Sequence, residues 1–151
     1  MESRLNLLIA ALGPLRVKRQ IDVSEYLESG LGAVAELFYL ATNTAELIQA
    51  INITRDLKIP FLLIGSGTKV ALPITGFSGL VIKNRSSHIK IFGIKGKVST
   101  TGIGIQEALI EADAGVSIHR LVEFIQQQGL TGLTGVEQLP GTIGGNLLVN
   151  P

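Results

Sequence analysis

The sequence predicts an α+β protein in which a small parallel α/β unit is followed by a partly antiparallel α+β unit. A strand–helix–strand pattern occupies residues 37–64, and such a pattern normally produces two parallel strands joined by a right-handed crossover. Beyond it, short apolar segments separated by Gly, Ser and Asn turns are typical of antiparallel strands. We expect a helix and an irregular lead-in over residues 1–36, the parallel unit over 37–83 and the second unit over 84–151.

The first element is expected to be a short amphipathic helix. Its apolar run extends from Leu5 to Leu12, is interrupted by Asn6, and stops at Gly13 and Pro14. The run is too short to span a bilayer, and it lacks the strongly basic segment that begins a signal peptide. We therefore expect a cytoplasmic protein with no membrane partner.

The parallel unit is predicted from a strand at residues 37–41, a helix, and a second strand at 61–64. Asn43 is a suitable N-cap residue, and Glu46 at the third helical position approximates a capping box. Pro60 blocks continuation of the helix. The unbroken apolar character of 61–64 indicates a strand covered on both faces. The apolar stripe of the helix is expected from Leu47, Ile48, Ile51 and Leu57.

The second unit is expected to combine short strands with one helix. Ser117 can cap a helix that runs to about Gln128, with Gly129 in the left-handed position after it. The core side of this helix is expected to be formed by Leu121, Val122, Phe124 and Ile125. The short strands of a meander are expected at residues 80–83, 89–92, 97–100 and 108–112.

The composition limits the kinds of partner and site. Charged residues make up 17% of the chain, below the usual quarter, so part of the surface is expected to contact a partner chain or a further domain. A net charge of +1 without a basic block argues against nucleic-acid binding. The absence of cysteine excludes disulfides and Cys-ligated metal sites. The two histidines, His88 and His119, are isolated from each other and are expected to be structural, so no metal site is predicted.

A first glycine loop, residues 65–69, directly follows the strand at 61–64. Its residues are Gly65, Ser66, Gly67, Thr68 and Lys69. A glycine-rich turn at the carboxyl end of a parallel strand can bind phosphate, because its main-chain N–H groups can approach an oxyanion. The dinucleotide fingerprint and the Walker A pattern both fail here, since Val70 follows Lys69. A plain turn between strands remains the alternative for this stretch alone.

A second glycine loop, residues 140–145, lies near the end of the chain. Its residues are Pro140, Gly141, Thr142, Ile143, Gly144 and Gly145. Pro140 restricts one φ angle whereas the three glycines free others, a combination that suits a backbone wrapped around a ligand. A strand-connecting turn would not explain why two such loops occur in one small protein.

Together these loops resemble those of the UDP-N-acetylenolpyruvoylglucosamine reductases, also called UDP-N-acetylmuramate dehydrogenases. That family carries I-P-x-x-x-L-G-G-G-S-N-x-L and then G-F-x-G-x-V-I, which residues 59–69 and 76–82 match. It also carries G-I-P-G-T-V-G-G with a later Asn, which residues 139–145 and Asn150 match. The resemblance extends from about residue 22 to residue 150 and covers the N-terminal FAD-binding part of the family.

The resemblance implies an FAD-binding fold of the vanillyl-alcohol-oxidase type, also called PCMH-type. Residues 65–69 would then contact the pyrophosphate of FAD, and residues 140–145 with Asn150 would line the flavin and its ribityl-pyrophosphate arm. In this family NADPH reduces FAD, which then reduces the enolpyruvyl group of the UDP-sugar in peptidoglycan synthesis. The serine proton donor and the glutamate that acts with it belong to a substrate domain for which this chain has no counterpart, so no catalytic residue is assigned.

Four positions depart from the family pattern. Gly30 stands at a basic position, Val34 at a proline, Lys69 at an asparagine and Gln138 at a glycine. A larger side chain in either loop is expected to weaken flavin binding. The chain is therefore expected to be a fragment of a longer reductase, a split subunit completed by another chain, or a degenerate module without redox activity. Another FAD-dependent oxidase or dehydrogenase of the same fold is the alternative function.

Overall fold

The computed structural model describes residues 2–30, 33–99 and 102–149. In chain order the elements are α1 (Glu2–Leu12), β1 (Val17–Asp22), β2 (Val34–Ala41), α2 (Thr44–Asp56), β3 (Phe61–Ile64), β4 (Phe77–Asn84), β5 (Ile89–Ser99), β6 (Gly102–Ala112), α3 (Ile118–Gln127) and α4 (Ile143–Val149). Within these ranges, no helix combines the length and the apolar character needed to cross a bilayer.

A four-stranded sheet in the order β1-β2-β4-β3 forms the first half of the molecule. As expected from the strand–helix–strand pattern, β2 and β3 run in the same direction, but β4 lies between them and is parallel to both. The expected meander strand at 80–83 therefore belongs to this parallel sheet. The run from Leu80 to Ile82 is fully buried, which is consistent with its central position.

The position of β3 at the sheet edge corrects one expectation. Leu63 is 40% exposed, so this strand is not covered on both faces. At the opposite edge, β1 pairs antiparallel with β2 within a lead-in that was expected to be irregular.

Helices α1 and α2 pack against one face of the sheet. Leu5, Leu8 and Leu12 of α1 are buried, as its amphipathic pattern predicts, and Gly13 at φ +96° ends it. The buried residues of α2 are Leu47, Ala50 and Thr54, with Ile51 and Leu57 partly buried against the same core. Ile48 is 53% exposed, so its expected place in the apolar stripe is wrong.

The second half begins with one long hairpin. Strands β5 and β6 have 11 residues each and pair antiparallel, in place of the three short strands expected at 89–92, 97–100 and 108–112. Gly93 and Gly96 do not end β5, because the ladder shifts register next to each of them. Residue 100 lies outside the described residues.

Helix α3 forms as predicted. The Ser117 side chain accepts a hydrogen bond from the Arg120 N–H at 3.2 Å. Gly129 at φ +68° follows the helix, and the Leu130 N–H donates to the Ile125 carbonyl at 3.0 Å, which completes a Schellman motif. Ile125 is buried, and the other three expected core residues are partly buried.

Candidate functional site

The two glycine loops touch each other. A Cβ atom on Gly65 would overlap the Thr142 hydroxyl oxygen. A Cβ on Gly141, at φ +102°, would lie 2.8 Å from Thr68 Oγ1 and 3.3 Å from Ser66 Oγ. Glycine is therefore required on both sides of this contact, and the fold joins two segments that are distant in the sequence.

The first glycine loop is held rigidly but keeps its hydrogen-bond donors free. Gly67 has φ +89°, and a Cβ there would overlap the Tyr26 carbonyl, so only glycine fits without displacement. The Glu28 N–H donates to the Gly67 carbonyl at 3.2 Å. The main-chain N–H groups of residues 66–69 donate to no acceptor among the residues that the structure describes. This donor set fits an oxyanion such as phosphate.

The second glycine loop is anchored to the segment that leads into α3. Ser117 and Thr142 form an isolated antiparallel bridge. The Gly144 N–H donates to the Ala114 carbonyl at 2.9 Å, and a Cβ on Gly144 would lie 3.0 Å from the Ala114 Cβ. The buried Thr142 accepts at its hydroxyl from the Gly145 N–H at 3.2 Å. These contacts begin α4, a short helix where the sequence indicated only a loop.

Asn146 reinforces this second loop from within α4. Its side-chain amide donates to the carbonyls of Pro140 and Thr142, each at 3.0 Å. Asn150, the other asparagine that the family resemblance pointed to, lies outside the described residues.

A cleft of about 350 Å³ opens where the two loops meet. Of the predicted site residues, Gly65, Ser66 and Thr142 line it. Its other lining residues come from the end of β4 and from the start of α3, and the sequence did not mark them as site residues. They are Lys83, Asn84, Arg85, Ser87, Gly115, Val116, Ser117 and Arg120.

The remaining predicted residues lie around this cleft rather than in its lining. Gly67, Thr68 and Lys69 line a second depression, which they share with Glu28 and neighbouring residues. The loop from residue 140 to residue 145 packs on the first loop and on the segment at 114–117. The structure therefore brings both predicted loops together, but only part of each faces the cleft.

Lys83 connects the cleft to the first glycine loop. Its ammonium group donates to the Gly65 carbonyl at 2.6 Å and lies 5.6 Å from the ring centroid of Tyr26. The Tyr26 ring in turn stacks on Phe38 at 4.8 Å between centroids. Burial, together with the nearby Arg85, lowers the pKa of Lys83 below its usual value. A lysine at this point can hold the loop and present positive charge to the cleft.

Buried polar contacts fix the floor of the cleft. Asn84 is 5% exposed, and its side-chain oxygen accepts from the Ser86 N–H at 3.0 Å. The Ser86 hydroxyl accepts from the Gly115 N–H at 3.3 Å, and a Cβ on Gly115 would overlap the Ser86 carbonyl. This arrangement ties the end of β4 to the start of α3.

Neither histidine takes part in a metal cluster within the described ranges. His119 lies 3.2 Å from Glu123 on the exposed side of α3. The main-chain N–H of His88 donates to Asp113 at 2.8 Å.

Comparison with known proteins identifies a matching family and several relatives. A sequence model of the FAD binding domain family matches residues 35–150. The chain is 28% identical over 149 residues to the UDP-N-acetylenolpyruvoylglucosamine reductase of Syntrophotalea carbinolica, covering 97% of this chain and 46% of that protein. It is also 28% identical to the reductase of the same name from Geotalea uraniireducens, covering 99% of this chain and 45% of that protein. The chain thus spans less than half the length of these curated relatives.

Solved structures agree on the fold. The UDP-N-acetylenolpyruvylglucosamine reductase of Thermus caldophilus superposes with a TM-score of 0.61 at 22% identity, covering 87% of this chain and 41% of that one. The 4-ethylphenol oxidase of Gulosibacter chungangensis gives a TM-score of 0.51 at 15% identity, covering 85% and 25%. The predicted fold class is confirmed by these matches, and the resemblance read from the two loops is confirmed by the relatives. Since the family match includes both glycine loops and the cleft between them, this chain belongs to the FAD binding domain family.

Proposed function

We propose that this chain binds FAD across its two glycine loops and forms the flavin-holding part of a reductase. The observation that supports this most directly is the contact between Gly65 and Thr142, which brings both loops to one cleft. The free main-chain donors of residues 66–69 supply what a phosphate needs. The residues predicted to contact FAD are those of the first loop, those of the second loop, and Asn150.

The relatives suggest the reaction. By analogy with them, the complete protein reduces UDP-N-acetylenolpyruvoylglucosamine with NADPH as reductant, as a step of peptidoglycan synthesis in the cytoplasm. When bound, FAD supplies the hydride chemistry. The residues of this chain would bind and orient the cofactor, whereas a further domain or a partner chain would supply the UDP-sugar site.

The test is a titration of the purified chain with FAD, followed by flavin fluorescence and the visible absorption spectrum. We expect saturable binding. Ser66 is exposed and lines the cleft, so Ser66→Asp adds a negative charge there without disturbing the core. Because like charges repel, we expect this variant to bind FAD at least tenfold more weakly.

The matched control is Ser66→Asn, because an asparagine side chain has nearly the same size as an aspartate but carries no charge. We expect this variant to bind within about threefold of the unchanged chain, because it adds no negative charge to the cleft. A folded chain that shows no FAD binding would refute the proposed function. Equal affinities for the two Ser66 variants would place the phosphates elsewhere.

A further inference from the structure

Lys83 continues a buried face of β4. Residues two apart along a strand point to the same face of the sheet, and Val81 is fully buried in the apolar cluster on that face. The register of the parallel pair places Lys83 opposite Ile64, the last residue of β3. The Lys83 side chain therefore starts beside the point where the chain leaves β3 and enters the first glycine loop.

Aromatic packing supports the ammonium group of this lysine. The Tyr26 ring stacks on Phe38, and both rings belong to the same apolar cluster as Val81. Lys83 Nζ lies 5.6 Å from the Tyr26 centroid, and an aromatic face attracts a cation. From this place the ammonium group reaches the Gly65 carbonyl, which accepts its hydrogen bond at 2.6 Å.

A second contact holds the loop two residues further on. The Glu28 N–H donates to the Gly67 carbonyl at 3.2 Å. Leu27, next to Glu28, is buried in the same apolar cluster, and a Cβ on Gly67 would lie 2.9 Å from the Leu27 Cα. The carbonyls of residues 65 and 67 are therefore held by donors from two different segments of the chain.

These two carbonyls determine where two N–H groups of the loop point. The described peptide bonds are trans, and in a planar trans peptide the carbonyl and the N–H of the next residue point in opposite directions. The hydrogen bond from Lys83 to the Gly65 carbonyl therefore turns the Ser66 N–H away from Lys83. The second held carbonyl directs the Thr68 N–H in the same way. Neither N–H donates to an acceptor in the described part of the chain.

We infer that Lys83 is a positioning residue: by holding the Gly65 carbonyl, it fixes the first glycine loop, before any ligand binds, in the conformation that leaves the Ser66 N–H free for an anion. An ordered loop loses little conformational freedom on binding, whereas fixing the backbone of one mobile residue lowers affinity roughly tenfold. That the anion is a phosphate of FAD rests on the proposed function. The fixed loop rests on the two carbonyl contacts.

The experiment measures backbone order parameters by amide NMR relaxation in the unliganded chain and in Lys83→Met. Methionine keeps an unbranched side chain but has no hydrogen-bond donor. We expect values of about 0.85 for Ser66 and Gly67 in the unchanged chain and values below about 0.6 in the variant, which are the ranges of rigid and flexible backbone. Lys83→Leu also removes the donor, and it takes the place of Lys83→Met should that variant unfold.

Two controls match this change. Lys18→Met makes the same substitution at an exposed position of β1, at the far edge of the sheet. Arg120→Gln removes a positive charge from the lining of the same cleft, and within the described residues the Arg120 side chain makes no hydrogen bond to the first loop. We expect Ser66 and Gly67 to stay near the rigid value of about 0.85 in both controls. Thermal unfolding verifies that each variant is folded.

The dissociation constant of FAD is measured on the same samples by flavin fluorescence. We expect Lys83→Met to bind FAD about tenfold more weakly, because binding must then order the loop. Lys18→Met is expected to bind FAD like the unchanged chain.

Several outcomes would overturn the inference. One is a first glycine loop that is already flexible in the unchanged chain, and another is a loop that stays rigid in the folded Lys83 variant. Weaker FAD binding by a variant with a rigid loop would show that Lys83 acts through its charge, and unchanged FAD affinity in a variant with a flexible loop would show that the order of the loop does not matter for binding. If the chain binds no FAD but the order of the loop still depends on Lys83, the positioning role stands and the proposed function fails.

Discussion

At the scale of single residues, glycines form the two loops of the candidate site, and three cations line the cleft between them. The glycine loops could be recognised in the sequence because closely spaced glycines with a proline are unusual outside tight loops. Lys83 and Arg85 at the end of β4, and Arg120 in α3, could not be recognised, because these two segments converge only in the folded chain. The rule that ligands bind beyond the carboxyl ends of parallel strands would have pointed to the end of β4, had its place in the sheet been known.

The close packing of Gly67 leads to a stability prediction. A Cβ at Gly67 would overlap the Tyr26 carbonyl, and φ is +89°. Gly129 has a comparable φ of +68° but nothing within 4 Å of its Cβ position. We expect Gly67→Ala to lower the free energy of unfolding by about 3 kcal/mol or more, and Gly129→Ala by only about 1 kcal/mol.

Urea denaturation of the two variants measures this difference. Gly129→Ala is the matched control, since it carries the backbone strain without the overlap. Equal losses in the two variants would mean that the contact of the first glycine loop with Tyr26 is looser than the structure shows.

At the scale of elements, local patterns predicted the helices better than the strand arrangement. Helices α1, α2 and α3 follow their apolar spacing and their caps, because these signals are local in the sequence. The central place of β4 depends on which apolar strand is covered on both faces, which is a tertiary property. Strand β5 was predicted as two pieces because Gly93 and Gly96 resemble breaks, yet register shifts accommodate both.

The start of α2 gives a pH prediction. The Glu46 carboxylate forms a salt bridge with Arg16 at 2.7 Å and accepts a hydrogen bond from the Thr42 N–H at 2.9 Å. These contacts lower the pKa of Glu46 to about 2, and the hydrogen bond from Arg16 has a larger effect than the hydrogen bond from the Thr42 N–H. A lowered pKa in the folded state stabilises the protein above the unfolded-state pKa of about 4.3, and this stability is lost as pH falls toward 2.

We expect Glu46→Gln to reduce the free energy of unfolding at pH 7 by about 1 kcal/mol, a value discounted for the solvent exposure of Arg16. Between pH 4.5 and pH 2 the variant should lose less stability than the unchanged chain. Urea midpoints across this range provide the measurement, and Glu107→Gln, which removes an exposed pair, serves as the control. Parallel pH curves for Glu46→Gln and the unchanged chain would contradict the assignment.

At the scale of the whole molecule, the cleft lies between the first half, which contains the four-stranded sheet, and the second half, which runs from β5 to α4. Asp113, which directly follows β6, accepts from the Thr44 hydroxyl at 2.7 Å and from the His88 N–H at 2.8 Å. Although burial opposes its ionisation, these hydrogen bonds lower the pKa of Asp113. Polar contacts of this kind help to join the two halves of the molecule.

Exposed apolar side chains lie on the hairpin and on α4. Phe92, Ile94 and Leu109 are 68%, 53% and 49% exposed, and Leu148 of α4 is 85% exposed. Hydride transfer requires a site from which water is excluded. Within the described residues, the cleft is bounded by the glycine loops, the end of β4 and the start of α3.

We therefore expect the 151-residue chain alone, even when loaded with FAD, to show no NADPH oxidation that depends on UDP-N-acetylenolpyruvoylglucosamine. The physical reason is that the proposed FAD site consists of the two loops and the cleft, whereas turnover also requires a covered flavin and a group that donates a proton to the substrate. Loss of NADPH absorbance with and without the UDP-sugar measures this, and a full-length reductase assayed in parallel is the positive control. Substrate-dependent turnover by this chain alone would show that the residues it contains suffice for the reaction.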